Sequence, residues 1–597
     1  MVDDSSTEQY SIDVFKRIAK ENPSFTMMTV PDNGVAVARN RGVEIARGRY
    51  VVCLDSDDIL EATYLEKLVT VLEANPQLDL VSTDMLMFGV NSGVYKQGDY
   101  DPARLISNNM LITAAMFRRT AWQDVGGYTP EIGYEDWEFW IKLAEAGHWG
   151  KRVPEPIFHY RTAASSRYID DKSKHAHNVQ TIKSLHPAYS VNIHKLQRQR
   201  RRLKYEVDPT DIFVNLNKPS QYAPVPKPKN PNVLIAVPWM TFGGAETLIL
   251  NFTKEIKDKF NLSFVTGLAS DHEWEFKFKE ITQNIYHLTN LFGDDKRLFL
   301  EFISNYVASR DISILHIVHT DFVFELLPEL KRRHPNLEVV VTMFNDRVEH
   351  FQKSVDTQKY IDRFTSDNSK VGKHYSDLLG SDERVTVIPN GIDCVNVFSP
   401  RLFNRNEERR KLGLAEDELA VTFVGRLSQE KNPDVFVGAA AGAIKQKANA
   451  KFFVVGDGPM GEQIGNQIKA VRSDKIVNLG YQQDVARYLS ATDIFVLPSS
   501  VEGFPMSILE AMAMKIVVVA SDVGAISDVL ANGDDGIVIT PGSVSEIVNS
   551  VVQLDKDRAK LDDMKAKAFQ KLITTYSNKQ LGDNYTKLYR DLLKWES

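Results

Sequence analysis

The sequence predicts an α/β protein of more than one domain, and three observations carry that expectation. Continuously apolar runs of strand length alternate with amphipathic helical segments, most regularly from Asn232 onward. Runs of this kind suit strands buried on both faces, as in parallel sheets covered by helices. A proline-rich stretch separates this region from an amino-terminal one of similar but less regular rhythm, and 597 residues exceed what one ordinary sheet needs.

Residues 1–190 place short apolar runs, Tyr50-Val-Val-Cys-Leu54 and Leu78-Asp-Leu-Val81, between helix-like segments such as 61–74. Residues 191–231 read as a linker. It opens with the basic run Lys195-Leu-Gln-Arg-Gln-Arg-Arg-Arg-Leu-Lys204, a solvated helical face or an attraction for an anionic membrane surface. Five prolines follow between Lys218 and Asn232. They favour a stiff extended spacer of at most about 45 Å, at ~3.1 Å per residue. Strand-like runs then recur at 233–237, 339–342, 421–424, 452–455, 494–497 and 516–520. That length implies two sheets, assigned to 232–400 and 401–597, with an amphipathic helix from Leu581 to Trp595 closing the chain.

Composition removes several function classes. Hydrophobic residues at 43% and charged residues at 25% allow sizeable cores, while a net charge of −7 gives no reason to expect nucleic-acid binding. The two cysteines, Cys53 and Cys394, lack disulfide or zinc spacing and point to a reducing compartment. No run approaches membrane-spanning length, and the acidic start is wrong for a secretory signal. The expectation is a cytoplasmic protein, working at the inner face of a membrane if its acceptor is lipid-linked.

The carboxyl half carries a ligand-site pattern in Ser499-Ser-Val-Glu-Gly-Phe-Pro-Met-Ser-Ile-Leu-Glu-Ala-Met512. On one helix Glu502 and Glu510 would lie ~12 Å apart along the axis and ~80° around it, too dispersed to share a small ligand. Pro505 suits the first helical position, which leaves Glu502 in the loop above and Glu510 on the second turn. The free N–H groups near Met506 and Ser507 then meet phosphate, and the carboxylates meet sugar hydroxyls. Upstream, Val424-Gly-Arg-Leu-Ser-Gln-Glu-Lys-Asn-Pro433 sets Arg426 and Lys431 in a strand-to-helix loop. Each cation beside a diphosphate oxygen contributes about 4 kcal/mol at an effective dielectric of ~20, before desolvation. Gly243-Gly244, after the first strand of this half, lets a helix N-terminus approach the ligand from the other side.

Gly425-Arg426, Lys431-Asn432, Gly456-Asp-Gly-Pro459, Asn478-Leu-Gly-Tyr481, the Glu502/Glu510 pair and Ile388-Pro-Asn-Gly-Ile-Asp393 resemble the retaining glycosyltransferases of family 4. The resemblance spans about 233–595. It implies the GT-B fold, two Rossmann-like domains facing across a cleft, and transfer from a UDP- or GDP-sugar without a metal. It implies that Glu510 holds the ribose, Glu502 the donor sugar, and Arg426 and Lys431 the diphosphate, with Gly244 against phosphate or acceptor. The family often carries a histidine near the reacting sugar. Leu315-His-Ile-Val-His319 offers two without settling which, and His319 is taken. Where a glycine usually ends the helix, Met514-Lys515 predicts a locally different turn.

The amino region has its own pattern. Arg49-Tyr-Val-Val-Cys-Leu-Asp-Ser-Asp-Asp58 is a strand running into three acids, and Asp55 and Asp57 suit a divalent cation bridging a diphosphate. Loop aspartates that cap the next helix would read the same way. Gly34-Val-Ala-Val-Ala-Arg-Asn-Arg-Gly42 precedes them, and Gly126-Gly-Tyr128 with Glu135-Asp-Trp-Glu-Phe-Trp140 follows. In this order they resemble the inverting glycosyltransferases of family 2, with the GT-A fold. The resemblance covers about 1–165. It implies Asp57 as ligand of Mg²⁺ or Mn²⁺, Asp55 as metal or ribose contact, and Asp136 as the base that deprotonates an acceptor hydroxyl. Asp3, Asp4 and Arg39 would contact nucleotide. Val2-Asp-Asp-Ser-Ser-Thr7 matches the end of that family's second strand, so its first strand is expected to be missing. Tyr160-Arg-Thr-Ala163 has alanine where some relatives have histidine.

Together these expectations describe a tandem glycosyltransferase acting on a glycan or lipid-linked acceptor in polysaccharide assembly, at or near the assembly machinery. The rival expectation is that the amino region is a non-catalytic glycan-binding or assembly module. A scaffold role for the whole chain is the remotest.

Overall fold

Strands with no polar face to offer solvent pair inside parallel sheets, and the second half of the chain does this twice. The computed structural model describes residues 1–597 except 32–33, 131, 164–173, 201–228, 347, 503, 505 and 596–597. Most of the proline-rich spacer, the basic run beyond Arg200 and the helix-starting Pro505 lie outside the described residues. The chain divides into two compact units, Met1–Val225 with Gln283–Ser309, and Pro226–Thr282 with Arg310–Ser597.

In the second unit one sheet runs Asn261–Thr266, Asn232–Val237, Ile312–Val318, Glu338–Thr342, Arg363–Ser366, Val385–Val387, parallel throughout. The other runs Ile476–Gly480, Ala450–Val455, Leu419–Val424, Ile494–Leu497, Val517–Ser521, Ile537–Ile539, also parallel. Each first strand lies inside its sheet, with later strands added on one side and then the other. Its carboxyl end is thus a topological switch point, where open α/β sheets leave a crevice for ligands. The switch points fall beside Asn232–Val237 and Ile312–Val318 in one sheet, and beside Leu419–Val424 and Ile494–Leu497 in the other. Gly244 and His319 follow the first pair of strands; Arg426, Lys431 and Glu502 follow the second.

The core of the second sheet is almost wholly aliphatic and Phe, including Val421, Phe423, Phe436, Phe452, Val454 and Ile494. The terminal helix Asn578–Leu593 packs against helix Gly244–Ile256 of the first sheet. Phe252 stacks on Tyr585 at a ring distance of 4.2 Å, and Tyr589 bonds His316 at 2.7 Å. Segment Ile388–Asp393 sits beside this return. Asn251 Nδ2 donates to the Gly391 carbonyl at 3.0 Å, and Ile392 N–H to Tyr576 O at 2.9 Å. A Cβ at Gly391 would meet the Ser577 carbonyl at 2.9 Å, so the two crossings of the chain touch backbone to backbone.

The first unit is built on a mixed sheet ordered Tyr50–Val51, Met116–Arg118, Leu80–Gly89, Gly150–Thr162, Ile59–Leu60. Only Leu80–Gly89 with Gly150–Thr162 is parallel; the other neighbours along this path are antiparallel. Val2–Asp3 pairs with Met28–Thr29 in a separate two-stranded parallel sheet. The run 50–54 gives a strand of only Tyr50–Val51, while the run at 78–81 opens a strand that continues to Gly89. Its buried Asp84 hid that continuation, and Arg152 compensates it through two 2.9 Å bonds. Tyr64, Leu68, Val71, Phe117, Phe139 and Trp140 fill the core.

Candidate active site

The loop after Leu419–Val424 is fixed by its neighbours before any ligand arrives. Gly425 N–H donates to Val455 O at 3.0 Å, Leu427 N–H to Asp457 O at 2.9 Å, and Met460 N–H back to Leu427 O at 2.9 Å. Gly456 has φ +142°, and a Cβ there would lie 1.9 Å from the Gly425 carbonyl, which is why the Gly-Asp-Gly-Pro turn tolerates no side chain at that point. Asn432 is left-handed at φ 49° and donates through Nδ2 to Pro498 O at 3.0 Å; Ser500 N–H donates to Glu430 O at 2.8 Å. These bonds tie the cation-bearing loop to the glutamate-bearing loop.

Across that seam Lys431 Nζ meets Glu502 Oε1 at 2.6 Å, with the side chains 28% and 8% exposed. Arg426 is exposed. Helix Met506–Ala513 begins just beyond, with Met506 and Ser507 in its first turn and Glu510 in its second. Burial raises Glu510 from 4.5 to about 7. The helix ends without glycine: Lys515 takes φ 59°, closing the turn through Lys515 N–H to Met512 O at 3.1 Å and Ile516 N–H to Ala511 O at 3.0 Å.

The other switch point in this unit offers space. A Cβ at Gly244, the first residue of helix Gly244–Ile256, would meet nothing within 4 Å. The two histidines of Leu315–His319 are sharply different. His316 is fully buried, bonded to Tyr589 and to Thr342 at 2.7 Å each, and burial lowers it to about 3; it belongs to the core. His319 leaves the strand at φ 48°, beside Phe344 and His350, with its Nδ1 unpartnered among the described residues. Burial, then His350, lowers it to about 4, so it is a neutral imidazole at physiological pH. A residue strained in this way at a strand end is a functional candidate.

In the first unit one predicted acid, Asp55, shares a cation with Glu135. Arg39, 9% exposed, bonds Asp55 at 2.9 and 3.2 Å and Glu135 at 2.8 Å. Asp136 opens helix Glu135–Ala146, accepts from Thr113 Oγ1 at 3.1 Å, and bonds Trp137 N–H at 2.8 Å. Asp57 is exposed, while the neighbouring Asp58 is buried and accepts from Arg161 N–H at 2.9 Å. Burial and the nearby aspartates still push Asp58 up to about 7. Asp3 accepts from Ser6, and Asp4 stands beside it at the strand end. Among the described residues no group of three or more His, Cys, Asp and Glu is arranged to hold a metal ion. Asp55, expected as a metal or ribose contact beside the ligand Asp57, accepts from Arg39 with both carboxylate oxygens.

Residues 404–571 match the model for glycosyl transferases group 1, and residues 1–122 the model for glycosyl transferase family 2. Models of two glycosyltransferase families thus match separate segments of this chain. The group 1 match contains Arg426, Lys431, Glu502 and Glu510. Gly244, His319 and Asp136 lie outside both matched ranges. Among curated relatives, the UDP-Gal:alpha-D-GlcNAc-diphosphoundecaprenol alpha-1,3-galactosyltransferase of Escherichia coli is 29% identical over 214 residues, 35% of this chain. The match spans about half of that relative's length, 55%. The N-acetyl-alpha-D-glucosaminyl L-malate synthase of Bacillus anthracis is 26% identical over 326 residues, 53% of this chain and 84% of that protein. Two solved structures share the fold of about three fifths of this chain. Anabaena Alr3699/HepE, solved with UDP, has a TM-score of 0.50 at 17% identity, covering 60% of this chain and 100% of its own. A glycosyltransferase of Rickettsia africae ESF-5 has a TM-score of 0.51 at 16% identity, covering 62% of this chain and 100% of its own. The fold is GT-B there, preceded by the family 2 region.

Sequence reasoning missed four residues of these sites. Glu135 shares Arg39 with Asp55, and its only signal was adjacency to Asp136. Asp58 was read merely as the third acid of its loop. Asn432 was quoted in a motif without its left-handed role. His350 gave no signal, because only the fold brings it to His319.

Proposed function

We propose that the chain transfers a sugar from a nucleotide-diphosphate sugar to a glycan or lipid-linked acceptor, with the principal site in the GT-B half. The observation that carries this reading is the Lys431–Glu502 pair across two loops at a topological switch point, with Arg426 exposed beside it. In this reading the bond from the anomeric carbon to the β-phosphate oxygen breaks, and the acceptor oxygen bonds to that carbon on the same face while its proton passes to the departing phosphate oxygen. Arg426, Lys431 and the N–H groups of Met506 and Ser507 take up the charge on the departing diphosphate, so no metal is needed. Glu510 holds the ribose, Glu502 the sugar hydroxyls, and neutral His319 a hydroxyl near the reacting carbon. Gly244 leaves room for the donor phosphate or the acceptor.

For the family 2 half the reading is a second, inverting transfer with Asp136 as base and a divalent cation at Asp55 and Asp57. The carboxylates as they stand do not form a metal cluster. A second reading, an amino half that binds glycan without turnover, is favoured by Arg39 holding both Asp55 and Glu135. The wider role we infer is assembly of a surface polysaccharide at the inner face of a membrane. No helix among the described residues is long and apolar enough to cross a membrane.

Nucleoside-diphosphate release from UDP-, GDP- and dTDP-sugars, with mixed glycan acceptors and with or without EDTA, tests these readings. Release that survives EDTA and disappears in Glu510→Ala is expected. Release that needs metal and Asp57 alone would move the working site to the amino half.

A further inference from the structure

Strand Asn232–Val237 ends in a loop that carries Trp239 and Phe242 just before Gly244. Strand Asn261–Thr266 ends in a second loop that runs to Trp274. Trp274 N–H donates to Met240 O at 2.9 Å, and Met240 N–H donates to His272 Nδ1 at 3.2 Å, so the loops form one surface. Phe242 stands nearly at right angles to Trp274, with ring centroids 5.1 Å apart, and is 81% exposed. Trp239 is 38% exposed, in the loop that leads to the helix carrying the buried Glu246. The Lys277 ammonium lies 3.5 Å from the Trp274 ring centroid.

A phenylalanine held in water by an ordered loop gives up the burial that would stabilise it, about 25 cal/mol per Å² of apolar surface. Here it rises from a braced aromatic base at the carboxyl edge of the sheet, in the loop that leads to the open space at Gly244. Aromatic faces in such a position suit the C–H face of a sugar ring, while the Lys277 ammonium suits its hydroxyls. We propose that Phe242, backed by Trp239 and Trp274, is the subsite on which a pyranose ring of the acceptor stacks. This rests on the glycosyl-transfer reading above and names the acceptor class of that site.

Saturation-transfer NMR on the full chain tests it, with methyl α-glycosides of glucose, galactose, mannose and N-acetylglucosamine as probes. Transfer to ring C–H protons of at least one probe is expected, falling about five- to tenfold in Phe242→Ala and returning in Phe242→Tyr. UDP binding by calorimetry should be equal in all three proteins. Transfer to none of the probes, or transfer unchanged in Phe242→Ala, overturns the proposal. So does binding to phosphatidylglycerol vesicles that is lost in Phe242→Ala while glycoside transfer persists, which would make the patch a membrane face. Absence of UDP binding in the unmodified protein, with glycoside transfer intact, would count against the donor site alone.

Discussion

Replacing Glu510 by glutamine removes the charge of a largely buried carboxylate for which the described residues supply no ion pair. Burial raises its pKa from 4.5 to about 7 in the folded chain. Because the folded value lies above the unfolded one, the unfolded chain loses this proton first as pH rises. Stability is therefore full below about 4.5, falls between there and about 7, and stays reduced above. At ~1.36 kcal/mol per pH unit the gap corresponds to about 3 kcal/mol, and the partial exposure of the side chain brings the expectation to about 2. Glutamine keeps the shape and cannot ionise. Above pH 7 the variant should unfold at a higher urea concentration than the unmodified protein, by a midpoint shift worth about 2 kcal/mol; near pH 4.5 the two should coincide. If the carboxylate also holds ribose hydroxyls, calorimetry will find weaker UDP binding in the same variant. Stability would then rise as ligand affinity falls. Equal stability at about pH 8, or the same gain at both pH values, would refute the buried-charge argument.

Gly244→Ala should leave thermal stability unchanged or raised by about 0.5–1 kcal/mol, since a Cβ meets open space in a helix, yet slow turnover at least about tenfold if donor or acceptor occupies that space. Thermal unfolding alongside nucleoside-diphosphate release separates the two effects. Lys431→Met strands Glu502 in a mostly buried position, and should cost about 1–2 kcal/mol in urea unfolding as well as abolishing UDP binding in calorimetry. Lys515→Gly relieves a left-handed backbone that costs a lysine roughly 1–2 kcal/mol, less the contact of its ammonium with Phe569; a net gain below about 1 kcal/mol is expected from the unfolding midpoint. Arg39→Met removes the guanidinium from Asp55 and Glu135, so Mn²⁺ binding measured by calorimetry should be stronger in the variant than in the unmodified protein if Asp55 takes part in a metal site.

The fold was most legible where burial is two-sided. Val421–Val424 and Ile494–Leu497 have no polar residue except Thr422, whose hydroxyl pairs with that of Thr492 just before the second strand, and both were visible as strands. Strand Asn261–Thr266 was hidden by Ser263 and by its polar ends, and Leu80–Gly89 by Asp84, a charge that only its partner Arg152 makes tolerable. The site divides along the same line. Arg426, Lys431, Glu502 and Glu510 lie on segments close in sequence to their own strand ends, so spacing alone pointed to them. The choice between His316 and His319 needed the partners, because a strand residue bonded on both nitrogens and a loop residue with one nitrogen free look alike in sequence. The bond from Arg39 to Glu135 spans 96 residues, and no local pattern carries it.

The two halves treat their charges in opposite ways, and that difference orders their affinities. In the GT-B half, Arg426 is exposed, a Cβ at Gly244 would meet nothing within 4 Å and His319 Nδ1 has no partner among the described residues, so on the proposed reading a diphosphate would have one ion pair, Lys431–Glu502, to rearrange. In the family 2 half, the buried Arg39 is committed to two carboxylates and Asp58 is bonded to the Arg161 backbone. A nucleotide that takes Arg39 must first give up charge-assisted bonds worth about 1.5–3 kcal/mol each, and leave Asp55 and Glu135 close together without their cation. A cofactor cation that replaced the guanidinium between those acids would remove that penalty; without one, the donor has to overcome it alone. The same sequence order of motifs therefore describes a site open to its ligand in one half and a self-neutralised one in the other. Donor binding to the amino half should for that reason be the weaker of the two, and the more dependent on what else occupies the acids.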